Sequence, residues 1–306
     1  MQREMHDLRA NSMEQACHYC TIYTLEEMIK NISQKENDYC LTFWASSIYA
    51  MNDPSEFVYG YNLLTKDILP SIEKELRIKD DRLKLSRLWR QIEGINAPKE
   101  WDEKLMGAIY ECHQSPFIIS FSRQKDFLPM WNTYSDKGRG VCLCFDDYGW
   151  ICKNNDVQML HKLHTSEVSY GKVDQSVYNV MQKLYANCYE RYKDLSDGKQ
   201  RANEMAKCLA SIVVAASPYH KHKAYEYEKE SRLIVFKKDE HEVKYRCTNH
   251  GRIVSYIEIP IKLEYLQRII VGPCADSASI VRELKARLSS YGITDIVPSQ
   301  IPYREY

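Results

Sequence analysis

The chain has 306 residues, 44% hydrophobic and 27% charged, the proportions of an ordinary globular protein able to bury a core. Acidic and basic residues balance at 42 each, so net charge argues for no nucleic acid, membrane or acidic partner. The 11 scattered cysteines, the polar residues 1–14 and the lack of any apolar run near the roughly 20 residues of a membrane span point to reduced thiols in a cytoplasm.

Residues 1–14 are expected to be an N-terminal extension, and residues 15–306 a single α+β domain. Cys17 and Cys20 form a lone C-x-x-C around His18. A zinc site needs more ligands at recognisable spacing, so no metal is predicted and these are expected to be core or strand cysteines. Residues 18–21 predict a short strand. Thr24 then opens T-L-E-E, a capping-box pattern with Glu27, before Leu25, Met28, Ile29 and Ile32 at helical spacing. Residues 39–47 are aromatic and β-prone. Residues 51–56, MNDPSE, predict a turn and a helix start, because Asp53 precedes a proline. From 56 to 112 the pattern is helical, with one apolar stripe at Leu83, Leu85, Leu88, Trp89 and Ile92 and another at Trp101, Leu105 and Ile109.

Residues 115–146 read as strand, compact loop, strand, and the rest of the chain is organised around them. Residues 116–122 and 140–145 are short apolar runs bounded by turn residues, as in buried central strands. Between them, residues 126–136 mix Pro129, Met130, Trp131 and Tyr134 with Asp126, Asn132, Ser135 and Asp136. Such a loop either lines a pocket or closes the core. A short strand is predicted at 165–170 and helices over 174–216, interrupted at Ser196-Asp197-Gly198. The stripe Val177, Val180, Met181, Leu184, Tyr185 and Cys188 is expected in the core.

His220-Lys221-His222-Lys223 reads as an exposed basic loop able to meet a phosphate. In YEYEKESRLIVF, Glu226, Glu228 and Glu230 alternate, which in a strand puts all three on one face. Three such carboxylates repel, so this is either an exposed edge or a site with cationic partners, and Arg232 shares that face. Residues 243–247 and 253–261 predict a strand pair, 266–272 a strand, 277–291 a helix and 293–298 the last strand. One mixed sheet with helical insertions at about 56–112 and 174–216 accommodates these elements.

Read together, several segments resemble a mainly bacterial family known as a domain of unknown function, number 2971. They are His18-Tyr19-Cys20-Thr21; Trp44-Ala45-Ser46; Met51-Asn52-Asp53-Pro54-Ser55-Glu56; Ser120-Phe121-Ser122 with Met130-Trp131 and Tyr134; and Gly140-Val141-Cys142. Tyr227-Glu228-Lys229-Glu230 with Arg232-Leu233-Ile234, Ile270-Val271-Gly272-Pro273 and Ser299-Gln300-Ile301-Pro302-Tyr303-Arg304 complete the set. Ser231 departs from the family, which usually has Trp there. The order of elements also looks like the ADP-ribosyltransferase fold, with its mostly antiparallel sheet: His18 on an early strand, Ser120-Phe121-Ser122 on a middle one and Glu228-Lys229-Glu230 on a late one.

That resemblance implies an intracellular effector moving ADP-ribose from NAD, its substrate, to a macromolecule, in a toxin or antiphage role. A carboxylate beside the ribose stabilises the oxocarbenium-like state formed as the nicotinamide bond breaks. Glu228 or Glu230 is the candidate, with His18. Tyr19, Ser120, Ser122, Asn52, Asp53 and Arg232 are candidate NAD contacts, and Trp131 or Tyr134 a stacking surface for nicotinamide. The acceptor is a protein or nucleic acid, with a defence-operon protein as possible partner and no membrane. A non-catalytic sensing or partner-binding module is the alternative. A metal-dependent nuclease built on Asp53, Glu226, Glu228 and Lys229 is a minor one, since its usual acid-to-lysine spacing is absent. No G-x-S-x-G elbow supports serine hydrolysis.

Overall fold

The computed structural model describes residues 15–35, 38–48, 59–60, 62–88, 116–145, 162–171, 173–236, 243–247, 251, 253–274 and 276–302. Strand β1 (Ala16–Cys20) runs into a helix, Ile22–Lys30. Its cap is Thr21, whose hydroxyl accepts from the Thr24 amide at 3.1 Å, so the helix starts earlier than the T-L-E-E pattern indicates. Strands β2 (Ser33–Lys35) and β3 (Asp38–Ser47) pair with each other. Next come β4 (Pro116–Ser122), β5 (Val141–Phe145), β6 (Lys162–Glu167), and two short strands, β7 (Ser169–Tyr170) and β8 (His220–Lys221), which pair only together. The chain closes with β9 (Glu230–Phe236), β10 (Lys244–Cys247), β11 (Ile253–Lys262), β12 (Leu266–Val271) and β13 (Ile296–Pro298).

All but β7 and β8 belong to one 11-stranded open sheet, mostly antiparallel, in which β12 and β13 run parallel. The sheet forks at β4. One edge of β4 pairs with β9 along seven residues, from Pro116↔Phe236 to Ser122↔Glu230. Its other edge is divided: Phe117 and Ile118 face Ser47 and Ser46 of β3, whereas Ser122 faces Cys17 of β1. Ser120 lies between the two branches, and the His18 ring bridges to its carbonyl through Nδ1 at 2.9 Å. That contact ties β1 to β4 beside the single residue pair, Cys17↔Ser122, at which the two strands are in register.

The period-2 alternation of these strands sets their faces. Ala16, Phe43, Phe117, Ile119, Phe121, Leu143, Leu233 and Val235 fill one core, covered by helix Ile22–Lys30 and helix Ser277–Leu288 through Leu25, Met28, Leu284 and Leu288. On the opposite face, the supposed loop after β4 contains a short helix, Leu128–Tyr134, which lays Met130 and Trp131 over Tyr19, Cys142 and Ile270. Its wall is therefore part of a second core.

A helical layer has its own interior. Leu64, Leu69, Met181, Tyr185 and Leu209 meet there from helices Leu69–Glu75, Gln175–Tyr192 and Gly198–Ala216 and from a π-helical turn, Leu64–Ile68. The expected stripe on Gln175–Tyr192 is buried or half-buried except at Val180, which is 45% exposed. Glu73 is buried in this layer, accepting from the Tyr185 hydroxyl at 2.7 Å, the Ser86 amide at 2.8 Å and the Ser86 hydroxyl. Trp89, Ile92, Trp101, Leu105 and Ile109 lie outside the described residues. No described helix is long and apolar enough to cross a membrane.

Candidate active site

The β4–β9 register places Ser122 opposite Glu230 and Ser120 opposite Arg232. Since Phe121 and Leu233 enter the core, the two serines, Glu230 and Arg232 share the other face. Arg232 clamps Glu230 with Nε to Oε1 at 2.7 Å and Nη2 to Oε2 at 3.0 Å, and its Nη1 reaches the Pro218 carbonyl at 3.0 Å. This two-point geometry is the strong form of a carboxylate–guanidinium pair. The Ser120 hydroxyl also bonds the Glu230 carboxylate. The Glu230 backbone is fixed as well: its amide donates to the Tyr170 hydroxyl at 2.7 Å and its carbonyl accepts from the Val168 amide at 3.0 Å.

Glu226 and Glu228 do not continue the strand. Residues Lys223–Glu228 form a 3-10 helix, begun by His222, whose Nδ1 accepts from the Ala224 amide, and ended by Lys229 in the left-handed conformation at φ 41°. A three-residue repeat replaces the two-residue one, so the three carboxylates do not share a face. Glu226 is exposed, while Glu228 and Glu230 are 1% and 5% exposed. The kink brings both buried carboxylates to Lys221, whose Nζ is 2.6 Å from Glu228 Oε2 and 3.0 Å from Glu230 Oε2. Tyr134, at the end of its helix, donates to Glu228 Oε1 at 2.9 Å, and the Ser122 hydroxyl donates to the Glu228 carbonyl at 2.6 Å.

The expected exposed basic loop is thus divided. His222 and Lys223 are exposed, but His220 is fully buried and Lys221 is 2% exposed, because two buried carboxylates require a buried cation beside them. Glu228, Glu230, Lys221 and Arg232 carry two negative and two positive charges and sum to zero. Burial alone would raise the pKa of Glu230, but Arg232 and Lys221 hold it down at about 2. For Glu228 burial dominates and pushes the pKa up, against Lys221 and the Tyr134 hydroxyl. Two adjacent carboxylates are thereby driven in opposite directions, the usual division between a fixed anion and a proton-exchanging group.

The remaining predicted residues separate. His18 packs against Phe43 and Phe121 at ring distances of 5.2 and 5.7 Å, and burial lowers its pKa, so the imidazole is neutral. With Nδ1–H donated to Ser120, Nε2 is its acceptor. It touches the cluster only through the Ser120 backbone. Tyr19 is engaged elsewhere, donating to the Gln124 carbonyl at 2.8 Å and accepting from the Phe127 amide at 3.1 Å. Trp131 is fully buried, stands edge-on to Tyr19 at 4.9 Å and donates Nε1–H to Asp126 at 2.9 Å. Neither ring presents a free face for nicotinamide. Tyr134, the other stacking candidate, uses its hydroxyl on Glu228. Asp126 also receives the Ser299 hydroxyl and the Gln300 amide, which explains the Ser-Gln pair near the C-terminus. Asn52 and Asp53 lie outside the described residues. Of the nuclease set, Glu226 and Lys229 are exposed and Glu228 is buried, and Asp53 lies outside the described residues.

Tyr170 escaped the sequence reading as a site residue, and His220 and Lys221 entered it only as part of an exposed basic loop, whereas both are buried beside the carboxylates. His220 adjoins the cluster with neither ring nitrogen hydrogen-bonded, and burial and the Arg232 charge lower its pKa to about 4. The available signal was the cationic partner that alternating carboxylates demand, which the sequence supplies seven residues before Glu228 as well as at Arg232.

Residues 130–233 match the model of a family described as protein of unknown function (DUF2971). The matched span contains Tyr134, β5, Lys221, Glu228, Glu230 and Arg232, so the resemblance is supported over the part that builds the cluster. No curated protein and no solved structure matches the chain.

Proposed function

We propose that the protein transfers ADP-ribose from NAD to a macromolecule, with Glu228 as the reacting carboxylate and Glu230 as its fixed electrostatic partner. The observation that supports this reading is the convergence of Ser120-Phe121-Ser122 on β4 with Glu230 on the neighbouring β9 and Glu228 in the 3-10 turn just before it, with His18 one strand away at the fork. In the reaction, the bond between the nicotinamide nitrogen and the ribose breaks and neutral nicotinamide leaves. The acceptor forms a bond to the same ribose carbon and loses a proton. Glu228, whose pKa is raised, suits the proton and the developing positive charge. Glu230, held ionised by Arg232, supplies a constant negative potential. The biological setting proposed for this activity is a toxin or antiphage effector.

Because Glu228 is 1% exposed, NAD reaches it only when Tyr134 or the Lys223–Glu228 turn moves aside. Lys221 would then lose one carboxylate partner and retain Glu230. This reading is tested by comparing Glu228→Gln with the Glu228→Gln, Glu230→Gln double variant, in purified protein given NAD. Both lose nicotinamide release by about 100-fold or more. Full activity in the double variant would sink the assignment.

The complete burial and mutual pairing of the four charges favours a second reading, a non-catalytic sensing or partner-binding module in which the cluster only fixes the fold. That reading requires no nicotinamide release and no change in melting temperature with NAD.

A further inference from the structure

We propose that Cys17, Cys142 and Cys144 form a binding site for one soft, closed-shell metal ion, Zn²⁺ or Cu⁺, held by three thiolates. The C-x-x-C motif does not build it. A spacing of three residues along β1 sends Cys17 and Cys20 to opposite faces, and Cys20 belongs to the main core. Cys17 instead lies directly opposite Cys144 in the β1–β5 register, and Cys142 is two residues along β5 on the same face. The Cys17–Cys144 and Cys142–Cys144 sulfur atoms are each 3.8 Å apart, and all three lie within 4.8 Å of one another. Thiolates about 2.3 Å from a tetrahedral zinc ion stand about 3.8 Å from each other. Among the described residues this is the one group of three such ligand atoms so close together.

The surroundings suit a soft ion. Met130, Trp131 and Ile270 cover the sulfurs, and all three cysteines are at most 1% exposed. Three thiolates with Zn²⁺ carry one negative charge, and with Cu⁺ two. Arg268, which also pairs with Asp295, lies opposite Cys144 in the β5–β12 register, and Lys125 also acts electrostatically on Cys144. The Tyr19 hydroxyl is occupied by Gln124 and Phe127, which leaves three sulfurs as the ligand set among the described residues. Sulfur-only ligation selects Cu⁺ and Zn²⁺ over magnesium or calcium. Binding replaces three S–H bonds with three metal–sulfur bonds and releases the protons to solvent. The ion would tie β1 to β5 and is independent of the transferase reading.

The test uses the full chain, reduced and stripped of metal with a chelator, then titrated separately with Zn²⁺ and with Cu⁺ under argon. X-ray absorption on the loaded wild type is expected to show three sulfur neighbours, at about 2.3 Å for zinc, at one ion per chain. Cys144→Ser is expected to weaken binding at least tenfold, whereas Cys20→Ser binds as the wild type does. A shell of nitrogen and oxygen for both ions, or no binding of either, overturns the proposal. So does unchanged affinity in a folded Cys144→Ser protein. Should that variant fail to fold, the sulfur count in the wild type decides alone.

Discussion

Lys221 holds both carboxylates of the Glu-x-Glu segment, so the loss of either has a different consequence. In Glu230→Ala, Arg232 and Lys221 stay buried with one anion between them, and the expected cost is about 3–5 kcal/mol of stability in urea unfolding. Glu228→Gln keeps an acceptor for the Tyr134 hydroxyl and costs less than Glu230→Ala. Acid resolves the pair further. The folded-state pKa of Glu230, about 2, lies below its ordinary 4.5, so its contribution is present above pH 4.5 and is lost as pH falls from there to about 2. Glu228 has the opposite sign: its raised value means that its contribution is present below pH 4.5 and declines as pH rises through the folded pKa. The difference in stability between wild type and Glu230→Gln should therefore shrink between pH 4.5 and 2. A constant difference across that range would contradict the pairing. Lys229, at φ 41°, is expected to accept glycine with little loss or a gain of stability, because glycine takes that conformation without strain.

Strands and helices respond to their closest contacts. Gly140 opens β5 where an added Cβ would come within 2.1 Å of the Cys20 carbonyl oxygen and 2.7 Å of the Ser135 Cβ. Gly140→Ala is expected to destabilise by about 3 kcal/mol, seen as a lower urea midpoint, since backbone cannot yield cheaply. In the helical layer, Glu73→Ala removes the acceptor of the buried Tyr185 hydroxyl and of the Ser86 amide, with an expected cost of about 2–3 kcal/mol. Much of this level was legible beforehand. The apolar runs at Pro116–Ser122 and Val141–Phe145 were recognisable because buried strands need continuous apolar sequence, and the break at Ser196-Asp197-Gly198 does fall between two helices. Glu226, Glu228 and Glu230 misled because alternation looks the same whether or not the chain is extended. The left-handed Lys229 ends the 3-10 turn and β9 starts only after it, and lysine gives no local sign of that conformation. His220 and Lys221 seemed exposed because their burial depends partly on β7 and on the helix ending at Tyr134, which lie far away in sequence.

At the scale of the molecule, the fork in the sheet positions the chemistry. β4 serves β9 on one edge and both β1 and β3 on the other, so His18, Ser120 and Glu230 come from three strands that the fork brings together. The fork was invisible in the sequence, because pairing among strands separated by a hundred residues leaves no local pattern. The proposed enzyme is closed in this conformation, with its reacting carboxylate beneath Tyr134 and beside Lys221. Tyr134→Phe removes a hydrogen bond that holds the Glu228 pKa down but leaves the ring, so the variant is expected to raise that pKa further, read from the pH dependence of its stability. The decisive measurement is nicotinamide released from NAD by the purified chain, beside Glu228→Gln at equal folded concentration. Release by the wild type, reduced about 100-fold or more in Glu228→Gln, is the predicted result. No release by the folded wild type, with no NAD-dependent change in melting temperature, would contradict the account and leave the cluster as an internal brace of a binding module.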